Sequence, residues 1–590
     1  MADYYKWVEK KPQEKFINPY SFVSLGSDVV RTEQKEGTLT GKIKVSLIVK
    51  TPLAIPDTEN VSTDNIGHKT FSFFRVGNDP IIPGSQLRGM LRSAYETLSN
   101  SCFSVNNNNI LTARHANPGN PGIIKYEQGA WRLYDARTSK DYGKEIDINT
   151  SVRRTWYTIN GKKLKTKIFI STGKDIDCVN IDKAIENYNE VVKIYDEQTT
   201  GDKSFSRKKP QLTYGVRKDG KLYPIFYEIV EHDGEKYVYF SPAQLGRYVF
   251  DNRLDNLLGT HISCSKQDET GLCKACALFG MISSNNIKGS YASKLRFTDA
   301  RAVRFDTLGY STLKELSGPK TTSVEFYSKR PTIGDSQAKY WTYDYAVTGY
   351  RKQNRQYIPQ KTMCSVVIRG RKYYWHNPRA ESDRTVYSID EKTKRNCTSE
   401  LCKPESRFVF DIFFERITEQ QLKELLWTIT MGENEESSSQ MYKLGHGKPL
   451  GLGSVKLVIE EVQIRTFNTE SLVYKIDTID HNKVTQMLCS VPFDLNDIAD
   501  KKAFDEFMHL TQFDALSGVT KNGKIPICYP IADDGKNKKN SKASHQWFIA
   551  NRSMGEGGTT TAWSVKYTLP ACTNKTPALK ALKKELDKKS

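Results

Sequence analysis

No stretch of this chain holds the roughly 18–20 consecutive apolar residues that a membrane-spanning helix needs, so nothing in it reads as a helical membrane protein. The start, Met1-Ala-Asp-Tyr-Tyr-Lys-Trp7, lacks the apolar core of a signal peptide. The expectation is a soluble, cytoplasmic protein with no membrane partner. A Gly-x4-Gly-Lys-Ser/Thr sequence is absent, which excludes a P-loop nucleotide site, and no self-similarity at a solenoid period is found. The eleven cysteines are an odd number spread over 590 residues, a usage that argues against a disulfide framework and for a reducing compartment.

Acidic residues are outnumbered: 88 Lys and Arg stand against 68 Asp and Glu, a net charge of +20. With 31 Tyr and 25 Phe, the balance suits a polyanion that also exposes bases, so nucleic acid is the leading partner. The length allows one elaborated domain or two to three.

Residues 38–50 alternate apolar and polar side chains as a half-buried strand does. A helix is expected from Pro83-Gly84-Ser85, with Ser85 as N-cap and Leu87, Leu91, Ala94, Tyr95 and Leu98 at helical spacing. From about 103 to 245 the sequence is polar and irregular, including Asn106 to Asn109, and reads as a large insertion. Leu295-Arg-Phe-Thr-Asp299 reads as a strand ending on an exposed Asp, and 366–376 as a strand rich in cations. Arg407–Arg416 alternates as a strand, and Thr418 to Gln421 opens a helix with a capping box. Two strand–helix units separated by insertions suggest an α+β, ferredoxin-like sheet of the RNA-recognition type. The expected organisation is an N-terminal extension (1–37), a core (38–460) and a C-terminal appendage (461–590). The appendage should hold a helix near 494–511, a polar linker at 535–544 and a last helix opened by Thr576-Pro577.

Within 255–285, His261, Cys264, Cys273 and Cys276 follow one another in metal-ligand order, the last two as Cys-x-x-Cys. Four such ligands close a tetrahedron without leaving room for water, so the expectation is a structural zinc site. Cys102, Cys178, Cys364, Cys397, Cys402, Cys489, Cys528 and Cys572 are then expected to be packing or surface thiols.

Gly445-His446-Gly447-Lys448 opens a glycine-rich loop that ends at Gly453 and enters a strand, the reverse of a dinucleotide fingerprint. Its amides could approach a backbone phosphate, with His446 and Lys448 adding donors and charge; a tight turn that needs glycine for positive φ explains the same spacing. Arg88 and Arg92 lie one turn apart near a helix N-terminus, an arrangement suited to phosphates or to a solvated cationic face.

Pro83 to Arg92, Cys273-x-x-Cys276-x-Leu-Phe-Gly280, Leu295 to Ala300 and the Gly445–Gly453 loop, in this order, resemble the RAMP superfamily of CRISPR-associated proteins, above all the backbone subunits of type III effector complexes. The resemblance covers roughly 38–460. It implies a modified RNA-recognition-motif core with large insertions and a zinc-stapled segment, gripping guide RNA through Ser85, Arg88, Arg92 and the glycine loop. Partners would be CRISPR RNA, target RNA and other effector subunits. Many backbone members cut target RNA with an Asp after the first strand, using a divalent metal such as Mg²⁺. Here Asp57 and Asp64 are the candidates and His68 a possible acid or base. Ile55-Pro56-Asp57 stands where cutting members carry a glycine-rich form. Two readings follow: a subunit that holds guide RNA and positions target RNA, with or without metal-dependent cleavage, or an endoribonuclease that processes precursor CRISPR RNA. A non-CRISPR RNA-binding protein on the same fold is the third.

Overall fold

In the computed structural model, residues 1–4, 11–13, 106–109, 115–118, 142, 144, 158–162, 201–214, 244–246, 267–270, 283–288, 319–320, 354–355, 521–524, 534–539, 556–561 and 587–590 are not described; all others are. The run Asn106–Asn109 and part of the 535–544 segment lie outside the described residues.

The elements that build the centre are, in chain order, β1 (Leu39–Val49), β2 (Asp79–Ile82), α1 (Gly84–Leu98), α2 (Ile181–Thr200), α3 (Lys274–Phe279), β3 (Leu295–Phe297), β4 (Ala300–Arg304), β5 (Arg407–Ile417), α4 (Glu419–Thr430), β6 (Ser454–Asn468) and α5 (Ile498–Thr511). In the nine-stranded central sheet the order is β6-β1-β5-β4-β2. Neighbours in that order run antiparallel, with Val45 opposite both Phe410 and Ile459. The alternation read in β1 and β5 has its cause here. Ile43, Val45 and Leu47 point to the same side as Phe408, Phe410, Ile412 and Phe414, and all are buried. Helices α1 and α4 cover that side with Leu87, Leu91, Tyr95, Leu422, Leu425 and Ile429 in one hydrophobic cluster. A fully buried Leu or Phe of this kind contributes roughly 1.5–3 kcal/mol.

The capping box of α4 forms as its sequence predicts: Thr418 Oγ1 accepts from Gln421 N–H at 3.1 Å, and Gln421 Oε1 accepts from Thr418 N–H at 3.0 Å. Helix α1 starts differently. Pro83 is its N-cap, Ser85 is exposed in the first turn, and the amide of Gly84 donates to Asp299 Oδ1 at 2.8 Å. The cap thus comes from the turn between β3 and β4. Gly84 leaves room for it, since a Cβ there would sit 2.7 Å from Thr298 O.

The insertion is folded. Its strands Asn120–Glu127, Ala130–Lys140, Ser151–Tyr157, Lys163–Asp175, Tyr223–His232 and Glu235–Ser241 form a six-stranded sheet, and α2 packs on it around Trp131, Leu133, Tyr188 and Phe240. At the other end β6 runs through residue 460, with a bulge in its pairing with β1 between Ile459 and Glu461. The chain termini meet: Tyr5–Glu9 pairs with Leu582–Leu586 and Lys15–Ile17 with Ala578–Lys580. The expected last helix is therefore a pair of strands, drawn into extended form by N-terminal partners far away in sequence. The described part of the expected 535–544 linker, residues 540–544, is the start of a helix, Asn540–Ser553. The expected helix near 494–511 is α5.

Candidate functional site

Helix α1 has two working faces. Gln86, Gly89, Met90 and Ser93 look one way, at i, i+3, i+4 and i+7, and Arg88 and Arg92 look another.

The arginines reach α3. Arg88 donates to Phe279 O; Arg92 donates to Gly280 O at 2.9 Å and to Glu96 Oε1 at 2.8 Å. Both carbonyls lie at the C-terminal end of α3, where a cation is favoured. Burial and the neighbouring Arg92 hold the Arg88 guanidinium below its ordinary pKa. Glu96 is shared with Arg371, whose Nη1 stands 3.4 Å from it. These arginines therefore dock α1 onto the cysteine segment.

Four sulfurs meet under that contact. Cys102, Cys264, Cys273 and Cys276 are buried, and their sulfurs lie within 4.8 Å of one another. Cys102 Sγ is 3.6 Å from Cys276 Sγ and 3.5 Å from Cys273 Sγ. Sulfurs around a tetrahedral ion with bonds of about 2.3 Å stand about 3.8 Å apart, so the set fits a four-coordinate thiolate-bound metal. Donors surround it: Cys273 N–H points at Cys264 Sγ and Arg92 Nη2 at Cys276 Sγ, each at 3.5 Å. All eleven cysteines are free thiols. Cys102 thus belongs to the cluster and is not a packing thiol. His261 stands outside it. Its Nε2–H donates to Asn100 Oδ1 at 2.9 Å, and burial, then Arg371, pushes its pKa down to about 4. Cys102 lies 171 residues from Cys273, just past α1, and no local spacing marks it.

On the other face of α1 a groove of about 570 Å³ opens between α1, the 372–376 segment, the glycine loop and α5. Lys372, Lys443, Lys448, His376 and His446 line it, and no carboxylate does among the described residues. Burial pushes Lys372 down to about 8; burial and then Lys448 push Lys443 down to about 7. Lys448 and His446 are shifted down as well, chiefly by burial. Lys443 Nζ donates to Gly451 O and Leu452 O at 3.0 and 3.1 Å, but burial without a carboxylate partner disfavours the charged form of these lysines, and a bound anion would restore it. Of the residues expected to touch RNA, Gly445, His446 and Lys448 line the groove, whereas Ser85, Arg88, Arg92 and Gly447 do not. Lys372 and Lys443 were missed; the signal for Lys372 was the interleaving of cations with aromatics in Arg371-Lys372-Tyr373-Tyr374.

The glycines of the loop serve the turn. Gly445 and Gly453 have φ of +74° and +73°, and a Cβ would fall 2.3 Å from Ala54 O and 1.9 Å from Leu444 O. The amides of His446, Leu450, Gly451 and Gly453 all donate to chain carbonyls. Charge at this end of the groove comes from side chains.

Pro56 and Thr58 form part of the groove lining, so the acidic loop starts at its rim. Between them Asp57 accepts from the amides of Glu59 and Asn60 and from Asn60 Nδ2 at 2.8 Å. The Asn60 side chain, ahead of the two amides, holds its carboxyl below the usual range. Asp64 caps a separate turn, accepting from Ile66 and His68 N–H at 3.1 and 2.9 Å. His68 is buried. Its Nδ1 faces Thr393 O at 2.9 Å and its Nε2 the Thr398 hydroxyl at 2.8 Å. The structure does not bring the three together around one point.

Residues 46–260, a little over a third of the chain, match the model of the RAMP superfamily. The matched segment runs from β1 through the acidic loop, α1, Cys102 and the insertion, and stops short of Cys264. Two solved structures align over most of the chain. One is the crystal structure of Thermofilum pendens Csc2, at 10% identity, covering 82% of this chain and 90% of that one with a TM-score of 0.24. The other is a cryo-EM structure of the Type III-B Cmr-beta bound to cognate target RNA, at 8% identity, covering 71% and 96% with a TM-score of 0.17. With TM-scores this low, neither likeness establishes a shared fold. No curated protein matches the chain.

Proposed function

We propose that this chain is a CRISPR-associated RNA-binding subunit that holds guide RNA and positions target RNA beside other effector subunits. The observation that carries the reading is the groove beside α1, lined by Lys372, Lys443 and Lys448 and, among the described residues, by no carboxylate. The match of residues 46–260 to the RAMP superfamily model and the net charge of +20 support it. The sheet supports the fold side of the same reading. Numbering β1, β4, β5 and β6 as first to fourth, the spatial order is 4-1-3-2 with α1 and α4 on one side, the arrangement of a ferredoxin-like core.

The four cysteines are read as a structural zinc site. Zinc favours four thiolates in a closed tetrahedron, and it would supply cross-linking rather than chemistry. Cys102, just past α1, would be tied through it to Cys264 and to Cys273 and Cys276 at the start of α3.

For target cleavage, Asp57 is the better placed acid, because its neighbours Pro56 and Thr58 line the groove. Its carboxylate is held ionised and could accept a divalent cation such as Mg²⁺ at the rim. Asp64 belongs to a separate turn. His68 has both ring nitrogens engaged inside the protein, which leaves precursor processing through this residue without support.

The test is binding of purified protein to guide-matched RNA over a salt series, followed by target cleavage with Mg²⁺ or EDTA. Lys448→Glu is expected to weaken binding and reduce its salt dependence. Metal-dependent fragments lost in Asp57→Asn with binding retained would establish cleavage. An unchanged affinity and salt slope in Lys448→Glu would remove the groove from the RNA path.

A further inference from the structure

Strand β6 outlasts the sheet it belongs to. Beyond Ile464, its last partner on β1 being Gly41, it continues to Asn468 and folds back as the strand Val473–Thr478. This hairpin leaves large apolar side chains in water: Phe467 is 49% exposed, Tyr474 59% and Ile476 60%. Register explains which of them share a surface. Gln463 faces Thr478, Arg465 faces Ile476 and Phe467 faces Tyr474. Alternation along each strand puts all six on one face, which continues the side of the sheet opposite α1 and α4.

On that face the rings and cations are already paired. Phe467 and Tyr474 have centroids 5.1 Å apart, and the Arg465 guanidinium lies 4.6 Å from the Tyr474 ring. Across the sheet the same row continues through Lys42 and Phe413 to Arg296, which lies 5.0 Å from the Phe413 ring. Carboxylates near the row are at its base: Asp411 stands 4.0 Å from Lys42, and Glu461 accepts from Gln463 and Thr478. Asp477 is on the opposite face, paired with Lys475 at 2.9 Å. The outer part of the hairpin thus offers two open aromatic rings and a cation, with Glu470 in the turn at its tip; among the described residues no carboxylate pairs with Arg465.

We propose that this hairpin face is a stacking platform for the bases of single-stranded RNA, with Phe467 and Tyr474 as the stacking rings and Arg465 as the phosphate contact. Aromatic rings interleaved with cations are what a sequence-tolerant single-strand site requires, because every base has a π-face and every linkage a charge. Charge favours the same occupant: Arg465 stands among the exposed rings without a carboxylate partner among the described residues, and the chain as a whole carries +20. The inference rests on the reading of the chain as an RNA-binding protein and adds a second contact remote from the groove.

The experiment compares a fluorescent single-stranded RNA with an abasic oligomer of equal length, using wild type, Phe467→Ser/Tyr474→Ser and Arg465→Ala. Because the side chains are exposed, the variants should keep the wild-type melting temperature. The double variant is expected to bind the RNA about tenfold more weakly and the abasic oligomer unchanged. Arg465→Ala should lower the salt slope by about one. Wild-type affinity in the double variant overturns the platform while leaving the groove intact, provided Lys448→Glu still weakens binding. Loss of self-association or of a protein partner in the double variant, with RNA affinity unchanged, overturns it in favour of a protein interface. If the wild-type chain binds no RNA, this inference and the proposed function fall together.

Discussion

The two faces of α1 use the same kind of residue in opposite ways. Toward α3, Arg88 and Arg92 find carbonyls, a carboxylate and a sulfur, and every charge is answered from within the chain. Toward the glycine loop, Lys372, Lys443 and Lys448 line a groove without a carboxylate, and burial depresses their pKa values. The first face has a carboxylate, Glu96, among its partners. The second has none among the described residues that line it: Lys443 finds only the Gly451 and Leu452 carbonyls and Lys372 the rings of Tyr20 and Tyr374. Cationic residues counted along a sequence look alike; what separates them is whether the fold supplies the counter-charge.

The strongest way to break this contrast is through the cysteines. Cys102→Ser should abolish stoichiometric metal binding and destabilise the fold by about 4 kcal/mol or more, measured by metal analysis and thermal unfolding. His261→Ala should retain the metal and cost about 1 kcal/mol for the lost bond to Asn100. Retained metal in the first variant and loss in the second would restore His261 as the fourth ligand.

Next in size is Arg92→Ala. It removes the contacts to Gly280, Glu96 and Cys276 and should cost about 3 kcal/mol, since Glu96 stays buried with less compensation. Its RNA salt slope should not change. A lower slope at unchanged stability would move Arg92 to the RNA side.

Lys443→Met and Lys448→Glu should do the reverse. About tenfold weaker RNA binding and a slope reduced by about one are expected, at near wild-type melting temperature.

The smallest effect is the pH dependence. Lys443, pushed down to about 7 in the free protein, takes up a proton when a phosphate binds and raises its pKa. Affinity should be highest below pH 7 and fall several-fold as pH rises from about 6 to 8. Lys443→Met should flatten the profile; an identical slope in that variant would assign the proton to another group.

Parts of this arrangement could be read before any coordinates. The alternation in β1 and β5, the capping box at Thr418 and the Cys-x-x-Cys pair are local patterns, and local patterns are set by neighbours in sequence. Of Gly445, His446, Gly447 and Lys448, singled out for a phosphate role, all but Gly447 line the groove, and positive φ gives the glycines a reason of their own. The exposed Asp299 was noted at the end of its strand, but its task as the cap of α1 was not visible, because Gly84 lies more than two hundred residues upstream.

The sequence by itself determined the alternating strands, the helix periodicity, the excess of positive charge and three of the four clustered thiols, because each depends on residue type and short-range spacing. Tertiary structure decided the rest. It brought Cys102 to the cluster in place of His261, gave Arg88 and Arg92 to α3, brought Lys372 and Lys443 to one groove, and turned the expected last helix into strands paired with the N-terminus. Each of those outcomes depends on a partner distant in sequence, and a side chain's role follows from the charge, burial and hydrogen bonds that only the folded chain supplies.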